Sequence, residues 1–369
     1  MKILFLSLPY PDHITDQLYT GLCKVLGVDC VVDFPWKPAC HDPAHRVWFV
    51  SQVNTRRHSE PEVIDLLTKK AFDFICVPSR APAIQALTSL SDKVPLAPLV
   101  LIDCEEDTRI RHDLWTRYPF RAYFKRDYVW GLRNGVHDLL SMAKDFHGKR
   151  ELFTRTFPLP LCVDLETIPP DLHSSREIDV SYIGRISHPH RVTAVKILRS
   201  QTDLMFNGGV YRDATDRVYK LKDAPSERLK DKLFPHWARS APYESQKLEP
   251  LMDSTGHSPY FDQIFRSKIA VSIRGGGLTP PIRYYEIIAC KTLLLSDIPY
   301  TVIPNNFEHQ RHAVFFRRDF GNLAELARYY ATHDSERESI IESGYQHLLK
   351  FHTCERRAEY FLDICRKMF

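Results

Sequence analysis

Arg283 and Glu286 lie three residues apart, just after Gly275, Gly276 and Gly277, in the stretch SIRGGGLTPPIRYYEIIACKTLLLS (272–296). On a helix such a pair shares one face. Glycines let the backbone come close to a ligand, and the first turn of the following helix would offer N–H groups without intrahelical partners. With Arg274 just ahead of the glycines, this set suits a diphosphate. Glu286 could then accept hydrogen bonds from two neighbouring hydroxyls, as a ribose presents them. The plainer account is a glycine turn and a core helix carrying a surface Arg–Glu pair.

A second candidate anion site follows IDVSYIG (178–184). There Gly184, Arg185 and Arg191 stand between a strand and a helix, although a turn glycine and exposed arginines would look the same. Acid–base candidates lie in the first half. Asp103 ends the apolar run LAPLVLID, and Glu105, Glu106 and Asp107 follow it. Asp12, His13 and Asp16 follow the first apolar run, KILFLSL. Side chains at the carboxyl ends of parallel strands face the ligand crevice. His13 can act as a base near neutral pH. Asp103 is the first choice for a base because it ends a strand. Glu106 and Asp107 also suit helix capping. Lys125 and Arg126, closing RAYFKRDY (121–128), can neutralise a phosphate or pair with these carboxylates. The pairs His188/His190 and His309/His312 lack a third ligand at defined spacing, so no metal is expected.

The elements that must position these groups alternate. Strands are expected at 2–8, 28–34, 72–77, 96–103 and 121–128, with helices at 16–26 (Thr15 as N-cap), 61–70, 82–90, from about Thr108, and 131–145. Residues 36–58, rich in Pro, His and Arg, read as an irregular insertion. The first loop has no glycine, so a dinucleotide fingerprint is absent there. Pro-rich residues 158–177 read as a linker between 1–157 and 178–350. The second half repeats the pattern, with strands at 178–184, 203–209, 269–273 and 292–299. Its helices are expected at 192–199, 260–268, 322–332, 336–350 and 354–367, and 210–259 is left unassigned. The tail, 351–369, is expected to be a helix packing back on the first half. The fold class is therefore α/β, with two Rossmann-like domains and a cleft between them.

A chain of 369 residues fits two domains of ordinary size. Its 44% hydrophobic and 26% charged residues are those of a globular protein. The net charge of +4 gives no support for a dedicated nucleic-acid binder. Nine cysteines without a C-x-x-C pair read as reduced core thiols. Pro9, Pro11 and Asp12 cut the first apolar run too short for a signal peptide, and no apolar run reaches the ~18 residues of a membrane span. A cytoplasmic location is expected.

Residues 260–299, YFDQIFRSKIAVSIRGGGLTPPIRYYEIIACKTLLLSDIP, resemble the nucleotide-sugar segment of exostosin-like and spore-maturation-type (CgeB-like) glycosyltransferases. Arg283 and Glu286 occupy the R-x-x-E positions of that segment. GYQHLLKFHTCERRAEYFLDI is similar to the closing helices of the same group, with His352, Thr353 and Arg357 at the matching places. DVSYIGRISHPHR resembles the start of their C-terminal domain, and LIDCEEDTRI with YFKRD resembles some N-terminal domains. One departure is Cys290-Lys291, where the group has glycine; a looser turn is expected there. The resemblance implies the GT-B architecture, a nucleotide-sugar donor (UDP-linked), transfer to a hydroxyl acceptor such as a polysaccharide or glycan, and no metal or other cofactor. Other readings are an epimerase or hydrolase of the same fold, a non-catalytic sugar- or nucleic-acid-binding protein, and a DNA-base glycosyltransferase.

Overall fold

The computed structural model describes residues 1–53, 55–129, 150–173, 175–185, 189–211, 259–275 and 277–369. The helix expected at 131–145, most of the unassigned stretch 210–259, His188 and Gly276 lie outside the described residues.

Two parallel sheets organise the chain. The first has strands β1 (Ile3–Leu6), β2 (Val31–Phe34), β3 (Phe74–Pro78), β4 (Leu99–Asp103), β5 (Phe120–Lys125) and β6 (Thr156–Pro158), in the order β2-β1-β3-β4-β5-β6. The second has β7 (Ile178–Arg185), β8 (Phe206–Tyr211), β9 (Ser267–Ser272), β10 (Leu293–Asp297) and β11 (Val314–Phe316), in the order β11-β10-β9-β7-β8. Strands such as ILFL and LVLID are buried along their whole length because helices cover both faces of a parallel sheet. In each sheet the order reverses beside the first strand, the point where such sheets form a crevice at their carboxyl ends.

Several expectations change in detail. Helix His13–Leu26 starts three residues early, and Asp12 rather than Thr15 caps it, accepting from the Thr15 amide at 3.0 Å. The insertion at 36–58 holds a short helix, Pro38–His41, and a 3-10 turn. It is pinned by buried Asp33, which contacts His41 Nε2 at 3.0 Å and accepts from the Lys37 amide at 2.8 Å. The helix expected from Thr108 begins at His112. The preceding residues are held as a loop instead, with Arg80 bound to Glu105 at 2.7 Å and the Arg111 amide bound to the Tyr123 hydroxyl at 3.0 Å. Strands β6 and β11 were not expected; three residues carry too little periodicity to be seen. The turn at Cys290-Lys291 is not loose. Lys291 adopts φ 51°, the left-handed conformation that glycine would take there, at some steric cost.

The two halves meet at the crossover. Val163 exchanges backbone hydrogen bonds with His352 (3.0 Å) and Cys354 (2.9 Å). The last helix, Cys354–Met368, lies on the first half, where the buried ring of Phe361 packs 4.4 Å from Phe124. Gly21 permits this, because a Cβ there would overlap the Cys354 carbonyl oxygen. Linker residue Arg176 donates to Thr292 Oγ1 (2.6 Å) and to the carbonyls of Ser267 (2.8 Å) and Lys291 (2.6 Å), fixing the linker to the second sheet.

Candidate active site

The glycine loop lies where the carboxyl ends of the two sheets approach. Beyond β9 come Arg274, Gly275 and then Gly277, which packs against the first half. A Cβ on Gly277 would stand 3.1 Å from Asp127 Oδ2 and 3.2 Å from Glu106 Cβ, so a larger residue would have to push these side chains back. The next two residues bind the same carboxylate. The Leu278 amide donates to Asp127 Oδ2 at 2.8 Å, and Thr279 Oγ1 donates to Asp127 Oδ1 at 2.5 Å. The Val302 amide donates to the Tyr128 carbonyl at 2.7 Å beside it.

Arginines gather at the carboxyl edge of the second sheet. Arg185 ends β7 and is exposed, while Arg191 and Arg274 are buried. Arg191 binds two strand ends at once, through Nε to the Arg274 carbonyl (3.2 Å) and Nη1 to the Arg185 carbonyl (2.9 Å). The guanidiniums of Arg274 and Arg318 both lie over the Tyr300 ring, at 4.6 and 3.7 Å from its centre. Asp297 at the end of β10 is the acid beside them. Burial raises its pKa to about 6, with Arg274 opposing, so it is still mostly ionised at neutral pH and offsets part of the arginine charge. Gly184 has a packing reason, since a Cβ there would overlap the Tyr182 hydroxyl.

Arg283 and Glu286 share a face of helix Arg283–Ala289, as the spacing requires, and that face is internal. Glu286 is 1% exposed, and its Oε2 accepts from the Tyr260 hydroxyl at 2.7 Å. Burial lifts its pKa to about 7; Tyr260 and Arg283 pull it back. The Arg283 guanidinium lies over the rings of Tyr182 (5.3 Å) and Tyr260 (5.4 Å). Three of the first-turn N–H groups expected to be open on this helix are already bonded. Tyr284 N donates to Pro281 O at 2.9 Å, and Tyr285 and Glu286 donate to Ile282 O. Pro280 and Pro281 have no N–H to offer.

The opposite wall sorts its five acid–base candidates. Asp103 is fully buried and accepts from Lys125 Nζ (2.8 Å), Ser79 Oγ (3.3 Å), the Glu105 amide (3.1 Å) and the Tyr123 hydroxyl. Its oxygens are committed to the core. Asp16 is likewise enclosed, 2.5 Å from Lys37 Nζ, with burial raising its pKa to about 6. Asp12 is spent on the helix cap. Asp107, half-exposed, pairs with Arg109 (3.5 Å) and Lys125 (3.6 Å). His13 is different. Its ring stacks on Phe49 at 4.1 Å and meets Trp48 edge-on at 5.8 Å. Its Nε2 has no hydrogen-bond partner among the described residues. Burial first, and then Arg126, lower its pKa to about 4, while Asp12 and Glu106 oppose them. His13 is thus electrostatically joined to the Glu106–Arg126 pair (3.0 Å), which borders Gly277.

The structure therefore brings Gly277 to Glu106 and Asp127 and Thr279 to Arg126, and gathers Arg185, Arg191 and Arg274. It does not bring Asp103 or Asp16 into contact with the loop. Tyr300, Arg318, Asp127 and Thr279 escaped the sequence reading. Arg126 and Asp127 carried a signal, being charges just beyond a strand end; Tyr300 carried none.

Two parallel α/β sheets whose carboxyl edges meet across a cleft define the GT-B architecture of glycosyltransferases. Comparison bears this out. Residues 241–363 match the family model described as Glycosyl transferase-like. HepE from Anabaena in complex with UDP-glucose is similar at TM-score 0.55 and 10% identity, with all of both chains covered. A glycosyltransferase from Rickettsia africae is similar at TM-score 0.56 and 10% identity, over 100% of this chain and 98% of that one. Sucrose-phosphate synthase from Thermosynechococcus elongatus is similar at 0.53 and 12% identity, over 100% and 99%. No curated protein matches the chain in sequence. The chain thus shares the GT-B fold over its whole length, and its C-terminal third matches the glycosyl transferase-like family model. The match does not distinguish the exostosin-like or spore-maturation-type branch. No described helix is long and apolar enough to cross a membrane.

Proposed function

We propose that the chain transfers a sugar from a UDP-linked donor to a hydroxyl of a glycan acceptor, without a metal ion. The observation that carries this reading is the arginine-rich carboxyl edge of the second sheet beside the glycine loop. Arg185, Arg191, Arg274 and Arg318 supply positive charge where a diphosphate leaving group needs it, in a partly dry site where such charge acts strongly. Gly275 and Gly277 let the donor approach the backbone, and Arg283 and Glu286 stand on the helix that follows, with Glu286 buried against the Tyr260 hydroxyl. HepE, similar in fold, was crystallised with UDP-glucose.

His13 takes the acceptor side. Low pKa keeps its imidazole neutral at pH 7, so Nε2 is able to accept a proton from the attacking hydroxyl. In an inverting transfer that is its role; in a retaining transfer it orients the acceptor. Trp48 and Phe49, against which it packs, add aromatic surface beside it. Titration calorimetry tests the assignment. Arg274→Ala should weaken UDP binding about tenfold or more, given ~1.5–3 kcal/mol for a charge-assisted contact, while His13→Ala should leave UDP affinity unchanged and remove turnover. Unchanged UDP affinity in Arg274→Ala would overturn the donor assignment.

A further inference from the structure

The geometry points to Asp127, in the first half, as the positioning residue for the glycine loop in the second half. The donor site would then be completed by a carboxylate from the opposite sheet. This inference rests on the donor reading of the loop.

Asp127 follows β5 directly and is fully buried, and within its own half it has only a long ion pair with Arg126 (3.9 Å) among the described residues. Its two oxygens point out of the first half. Oδ2 takes the Leu278 amide (2.8 Å) and Oδ1 takes the Thr279 hydroxyl (2.5 Å), which also reaches the Arg126 carbonyl (3.1 Å). Two adjacent residues are thus tied at both ends of one carboxylate. A bidentate hold of this kind fixes direction as well as distance.

Three features make the hold consequential. The loop ahead of it is glycine, which has the widest choice of backbone conformation and loses the most freedom when fixed. The residues after it, Pro280 and Pro281, donate no backbone hydrogen bond of their own. The helix that carries Arg283 and Glu286 begins four residues beyond Thr279. Asp127 therefore stands between the glycines and that helix, where it can set both. Burial raises the Asp127 pKa above the ordinary carboxylate value, and Arg126, Thr279, the Leu278 amide and Lys125 oppose that rise. The physical consequence is that donor affinity depends on contact between the halves, because a loop already ordered before binding does not lose that entropy when the ligand arrives.

The test uses the full chain and two readouts. Hydrogen exchange of the 275–282 peptide is followed without ligand, and UDP affinity is measured by calorimetry. Asp127→Asn and Thr279→Val should both speed loop exchange and weaken UDP about tenfold, one hydrogen bond to a charged group being of that order. Thr279→Ser, which keeps the hydroxyl, should restore both values. A merely structural contact would lower the melting point without separating Thr279→Val from Thr279→Ser in UDP affinity. Unchanged exchange, or faster exchange with wild-type UDP affinity, overturns the positioning role. Exchange is read without ligand, so a wild-type chain that fails to bind UDP counts against the donor reading and leaves the Asp127 contact to be judged on exchange. Should Asp127→Asn not fold, the Thr279 pair carries the test alone.

Discussion

Replacing Asp103 with asparagine separates a catalytic carboxylate from a structural one. Asp103 and Lys125 are direct partners across β4 and β5, both with fully buried side chains, and their charged atoms are 2.8 Å apart. Removing one member of a buried pair leaves the other charge uncompensated, at a cost of ~3–5 kcal/mol. Asp107 remains 3.6 Å from Lys125 and returns part of that, because its half-exposed charge is screened but close. The low end, about 3 kcal/mol, is the expected loss. For a domain of ordinary size this corresponds to a fall in melting temperature of about 6–12 °C. Urea unfolding followed by far-ultraviolet circular dichroism should show the midpoint move, with the slope unchanged. Adding Lys125→Met to Asp103→Asn removes the stranded charge and should recover part of the loss, the mark of a coupled pair. Turnover per folded molecule should stay within about tenfold of wild type, since removing a general base costs roughly 100-fold or more. An unshifted midpoint with turnover collapsed would refute this account and return Asp103 to the role of base.

Two further outcomes follow from burial and packing. Glu286 has its pKa raised from 4.5 to about 7, so the folded state holds a proton that the unfolded state has released; its contribution is favourable below pH 4.5 and is lost as pH rises towards 7. Asp16 and Asp297, raised from 3.8 to about 6, act in the same direction. These three carboxyls lower stability between about pH 4 and 7, against His13 and His312, whose lowered pKa values work in the opposite direction over that range; Glu286→Gln should therefore make the upper part of the profile slope less downward with pH in urea midpoints. Gly21→Ala should destabilise by about 1–3 kcal/mol, because the added methyl meets backbone of the last helix that cannot rotate away; chemical denaturation reads it.

Much of this protein was legible in order along the chain. Buried strands such as ILFL, FICVP and LVLID are continuous apolar runs, and the helices between them keep their period, so the doubled parallel α/β plan is written in local pattern. The glycine loop and the Arg283–Glu286 spacing were equally local, and the carboxyl-end rule correctly turned attention to residues just past the strands. Tertiary structure decided which of those charges are spent and which remain for chemistry. Asp103 lost its candidacy to Lys125, 22 positions away, because register makes them neighbours. Asp16 is held by Lys37 from the insertion, whereas the buried Nε2 of His13 has no hydrogen-bond partner among the described residues. Asp127 meets Thr279 across 152 positions, and Tyr300 is set between Arg274 and Arg318 by three separate strand ends. A charge is committed by whatever lies within a few ångströms of it in space, and a pattern that repeats every two or 3.6 residues carries no information about that distance.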